Sequence, residues 1–155
     1  MIAEFAELEN EEVELLLQAP LLVSILIAGA DGKIDNSELH EAVSLAKLKQ
    51  TKARKDLIEY YGEVSVDFED KLKFLINNFP MGHEARNKKI VEELTKLNDV
   101  FKKLPLHFAK ELYASLKDFA KKIAEASGGI LGYMAVGYEE SKYLELKMIK
   151  NPANS

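Results

Sequence analysis

The stretch P-L-L-V-S-I-L-I-A-G-A, residues 20–30, is apolar on nearly every face. A helix at a protein surface confines its apolar side chains to one stripe, so a segment apolar all round must be covered on most sides. It is also broken by Ser24 and falls short of the ~20 residues needed to span a bilayer, which makes it a buried central helix and not a membrane span. Other elements are therefore expected to pack around it. A chain of 155 residues is long enough to bury such a core as one domain, removing roughly two-thirds of its unfolded surface from water.

Punctuation divides the rest of the chain into helical segments. Asn10 with Glu11 and Glu12 reads as a helix start, capped and acidic where the dipole is positive, and Pro20 suits the first turn of a second helix, where its missing N–H costs nothing. Leu39, Ala42, Val43, Ala46 and Leu48 repeat at helical spacing. Similar patterns predict helices near 52–62 (Leu57, Ile58, Tyr61), 67–78 (Phe68, Leu72, Leu75, Ile76), 84–104 (Ile90, Leu94, Leu97, Phe101), 105–126 (Phe108, Leu112, Leu116, Phe119, Ile123) and 138–149. The brief alternation V-S-V-D-F at 64–68 leads straight into a helical pattern, so no strand is expected. The prediction is an all-α fold: residues 1–155 form a single-domain bundle of about seven to eight helices, with N-P-A-N-S at 151–155 as a frayed tail.

Internal similarity suggests how the bundle is organised. I-A-G-A-D-G-K-I (27–34) lies over I-A-E-A-S-G-G-I (123–130) with both isoleucines, both alanines and a glycine matched, each at the end of a long apolar helix. Two pseudo-repeated helix–loop–helix halves are expected.

Composition excludes several functions. A formal charge of -5 removes the broad basic footprint of a nucleic-acid binder. The absence of cysteine rules out a disulfide framework, a thiolate nucleophile and cysteine-based zinc sites, and suits a reducing, cytoplasmic setting. The opening M-I-A-E-F-A-E-L-E-N-E-E is acidic, unlike a secretory leader, so the mature chain is expected to begin here.

The residues D-G-K-I-D-N-S-E, 31–38, are the place where chemistry is expected. Setting Gly32 at the sixth position of an EF-hand loop puts Asp31, Asp35 and Glu38 at ligand positions, but Ile27 and Gly29 then stand where the first two ligands belong, and neither offers a side-chain oxygen. This is no EF-hand. As a purely structural motif, Asp35 is a helix N-cap and Glu38, three residues on, completes a capping box. That account leaves Asp31 at a helix carboxy-terminal end, where the dipole disfavours an anion. A cation held by Asp31, Asp35 or Glu38 and main-chain carbonyls would relieve it, in an oxygen-only site suited to calcium, magnesium or manganese.

At Ala30-Asp31-Gly32, Ile34-Asp35 and Glu38 the chain resembles the tellurite-resistance TerB-like family, and the general pattern extends over residues 10–150. The resemblance implies an all-helical, pseudo-duplicated bundle whose acidic turns bind divalent cations, and a role in tellurite and other stress responses alongside other proteins, often in membrane-associated assemblies. The second half departs from the pattern, with Ser127-Gly128 in place of Asp-Gly, although Glu139 and Glu140 supply acid downstream.

Nothing in the sequence marks an enzyme. His40, His83 and His107 are widely separated and fit exposed or capping roles; none begins an H-E-x-x-H. Lys52, Arg54 and Lys55 read as a solvated helix face. The glycines of S-G-G-I-L-G follow a helix and match no phosphate loop. Two functions remain: a non-enzymatic, cation-binding stress-response module using Asp31, Asp35 and Glu38, or a helical interaction or scaffold domain with a purely structural acidic turn.

Overall fold

A computed structural model describes the backbone of residues 2–30, 34, 36–128 and 143–154, with side chains for all of these except 36, 37, 127 and 128. The described residues are helical, without strands. A 3-10 turn, Ala3–Phe5, leads into α1 (Asn10–Ala28), α2 (Asn36–Lys52), α3 (Lys55–Val64), α4 (Phe68–Asn78), α5 (His83–Thr95), α6 (Leu97–Phe101) and α7 (Leu106–Gly128), and a second 3-10 turn, Pro152–Asn154, follows. No helix among these residues is long and apolar enough to cross a membrane.

The apolar segment lies at the centre, as its composition requires. Every residue from Ala19 to Ala28 is buried, and α1 packs against α7, α2, α5, α3 and α4. The opposing face of α7 contributes Phe108, Leu112, Leu116, Phe119 and Ile123, one residue per turn or so, all buried. In α2 the buried stripe runs through Ala42, Leu45 and Ala46, while Leu48 is half exposed.

The helix count among the described residues is lower than the sequence suggests: six helices of ten residues or more, plus the single turn α6, which continues α5 after a break at Lys96. Two boundaries explain the difference. First, Pro20 does not start a helix; it sits inside α1. Proline in a helix interior removes the bond to the carbonyl four residues back, here that of Leu16. The buried Tyr60 hydroxyl from α3 donates to that carbonyl at 2.5 Å and takes the place of the missing amide. Second, of the expected helix 138–149 residues 138–142 lie outside the described residues, and after Tyr143 the described part is turns, with Leu146 N–H bonded to Tyr143 O and Ile149 N–H to Leu146 O.

Two smaller expectations also change. α1 starts one residue earlier than Asn10 implies, with Glu9 as N-cap and the Glu12 carboxylate accepting the Glu9 N–H at 2.9 Å. Residues 151–154 are not a frayed tail: Asn98 receives Lys150 N–H at 2.7 Å and donates to Met148 O at 2.9 Å, Pro152 is buried, and the 3-10 turn rests on α7. The expected absence of a strand at 64–68 holds: residues 65–67 form a turn that leads into α4, with Asp67 at φ 54°, a conformation closed to a strand.

The proposed halves differ where they are described. Ala28 ends α1, whereas its counterpart Ala124 lies within α7, which continues to Gly128. The rest of both matched loops, 31–33 and 129–130, lies outside the described residues.

Candidate functional site

The site nominated by sequence is the corner between α1 and α2. α2 begins at Asn36, so Glu38 falls in its first turn at the position a capping box with Asp35 requires. Glu38 is fully buried, at 0% exposure, which is far deeper than a surface cap needs. Asp31 and Asp35, the other two nominated carboxylates, lie outside the described residues, as does Gly32.

The α1 side of the corner is held by a helix distant in sequence. Gly29 N–H closes the helix on Ile25 O at 2.9 Å. Side chains from α5 meet the carbonyls that follow: the Arg86 guanidinium donates through Nη2 to Gly29 O, and Asn87 Nδ2 donates to Ala30 O at 3.1 Å. Both side chains are buried. A guanidinium at the negative end of a helix dipole is electrostatically favourable, so at these carbonyls the protein itself supplies positive charge. Gly29 makes the approach possible. A Cβ there would stand 2.5 Å from Arg86 Nη2 and 3.1 Å from Ile25 O, too close for either to remain in place.

Arg86 and Asn87 were not singled out by sequence, although a signal was present. They open the stripe that continues through Ile90 and Leu94, so a charged and an amide side chain stand at core-facing positions at the start of α5. Polar residues on a core stripe need partners, and helix-end carbonyls are common ones.

A second polar cluster joins α3 and α7. The imidazole of His107, in the first turn of α7, places Nε2 3.0 Å from Asp56 Oδ2 in the first turn of α3 and 3.2 Å from Glu111 Oε1, one turn further along α7. Arg54 Nη1 approaches Glu111 Oε1 at 3.7 Å. His107 and Glu111 are an i, i+4 pair legible in the sequence; Asp56 reaches them only through the packing of α3 on α7. Among the described residues no other group of three histidine or carboxylate side chains lies within ligating range of one another.

Several other polar side chains bond one segment of the fold to another. Lys103 bonds the Glu12 carboxylate at 2.9 Å; the Glu9 amide first, and Lys103 second, hold that carboxyl below the usual glutamate range. Burial raises Tyr60 and Tyr61 above the usual phenol range, and the hydroxyls of Tyr61 and Ser115 share a hydrogen bond of 2.6 Å. No protein-family model, curated protein or solved structure matches this chain.

Proposed function

We propose that the chain is a non-enzymatic, TerB-like module of a stress response of the tellurite-resistance kind, and that its α1–α2 corner takes up a divalent cation. The observation that supports this reading is Glu38. Its carboxylate is buried in the first turn of α2 and not spread into solvent as a simple surface cap would be. Glu38 stands at the α2 end of a segment whose sequence carries two further acids, Asp31 and Asp35, within seven positions of it. Three carboxylates form an all-oxygen donor set, which favours calcium, magnesium or manganese. Arg86 already occupies the Gly29 carbonyl, so the shell would be built from side chains and water with few main-chain ligands. Affinity in the range of ~10⁻⁴ to 10⁻³ M follows by comparison with low-affinity calcium sites.

A second reading is favoured by Arg86 and Asn87. Their hydrogen bonds satisfy the end of α1 without an ion, which fits a helical interaction or scaffold domain whose acidic turn only fixes the angle between helices. Thermal melts of chelator-treated protein separate the two. The first reading predicts a melting temperature that rises with millimolar calcium or manganese and no such rise in Asp31→Asn or Glu38→Gln. Melts indifferent to metal in the unmodified protein leave the second.

A further inference from the structure

We infer that Asp56, His107 and Glu111 form a binding site for a borderline transition-metal dication, zinc or cobalt(II), that bridges the first turn of α3 and the amino-terminal turns of α7. The geometry carries the inference. Donors held about 2.0–2.1 Å from a tetrahedral zinc stand about 3.3 Å from one another. His107 Nε2 lies 3.0 Å from Asp56 Oδ2 and 3.2 Å from Glu111 Oε1, close to two edges of that tetrahedron. The two carboxylate donors lie within 4.8 Å of each other, a separation that rotation of the exposed Asp56 side chain can adjust.

The donor chemistry selects the metal. The imidazole nitrogen beside two carboxylates suits zinc or cobalt, whereas calcium and magnesium would use only the carboxylate oxygens. Three protein ligands leave a fourth position for water or another donor. A dication between two carboxylates gives a neutral cluster, and the neutral imidazole would bind through Nε2 in its Nδ1–H tautomer. Glu111 is the least exposed of the three side chains, at 12%, and its Oε2 is buried and accepts no hydrogen bond, which leaves electron density unused at the base of the cluster.

Little needs to move for the ion to enter. His107 and Asp56 are exposed side chains able to adjust by rotation, with relative exposures of 74% and 40%. Arg54, the cation that contacts the cluster, is 78% exposed and can swing into water. The backbone positions are already set by the packing of α3 on α7, where the Tyr61 and Phe119 rings stack at 6.4 Å.

Cobalt(II) titration of the chelator-treated full chain, followed by visible absorption, tests the inference. One equivalent should give the strong d–d bands of four- or five-coordinate cobalt, and one equivalent of zinc should abolish them. His107→Ala should lose the bands, Asp56→Asn and Glu111→Gln should each weaken binding about tenfold or more, and the double variant His40→Ala/His83→Ala should keep them. An unmodified protein whose cobalt spectrum remains that of the hydrated ion overturns the inference. So do bands that survive His107→Ala, or bands lost in the His40/His83 variant. The inference is independent of the α1–α2 corner: Asp31→Asn removes the calcium response expected there and should leave the cobalt bands intact.

Discussion

Tyr60 shows how a single side chain can reverse a rule of local structure. Proline within a helix leaves an acceptor unsatisfied, and that cost is why Pro20 reads as a helix start in the sequence. The Tyr60 hydroxyl on Leu16 O removes the cost, and Ser24 Oγ adds a bond to Pro20 O at 2.7 Å one turn on. Tyr60→Phe should therefore destabilise the fold by about 1–3 kcal/mol, the penalty for a buried carbonyl left without its donor. In a Pro20→Ala background, where the new backbone N–H can bond Leu16 O, the same change should cost about 1 kcal/mol less, and a denaturant double-mutant cycle measures that coupling. Alkali reports on the same residues. Burial raises the phenols of Tyr60 and Tyr61 in the folded state, so their contribution to stability is complete below about pH 10 and is lost as pH rises from there toward the folded values. Phenolate absorbance should develop in two stages, with these two tyrosines ionising only as the fold is lost; full ionisation with the helical circular dichroism intact would show them accessible.

At the scale of elements, the apolar period was readable and the partners of polar groups were not. The buried stripes of α5 and α7 through Ile90, Leu94, Leu112, Leu116 and Phe119 follow from spacing alone, as does the central place of α1. Leu26→Ala should cost about 2–5 kcal/mol in a denaturant melt, because the cavity opens in the middle of the core; a loss below about 0.5 kcal/mol would place that residue at the surface. Element ends depend on contacts across long sequence separations. Gly29 looks like a common helix terminator, yet its lack of a side chain serves Arg86, fifty-seven residues away in the chain. Gly29→Ala should displace the guanidinium and cost about 1–3 kcal/mol. Arg86→Met should cost less in that background than alone, since the bond it removes is already broken. Additive losses in chemical denaturation would mean that the two do not act through one contact.

For the whole molecule, the same distinction limits what the sequence discloses about function. The segment 31–38 was legible as an acidic motif because its residues are contiguous. The Asp56–His107–Glu111 cluster was not, because α3 and α7 must first pack before those side chains share a space. Acid should act on the whole fold through Glu12: its folded-state pKa is depressed, so the stabilisation is complete above the ordinary glutamate value and is lost as pH falls through the lower one. Glu12→Gln should flatten the acid limb of the stability profile, and an unchanged limb would remove Glu12 from its cause. The central claim, a divalent cation at the α1–α2 corner, is tested most directly by amide NMR with substoichiometric manganese(II), whose paramagnetism broadens resonances close to the ion. The account predicts broadening centred on residues 28–38 that is absent in Asp31→Asn. Sharp signals throughout that segment, with broadening elsewhere or nowhere, would contradict it.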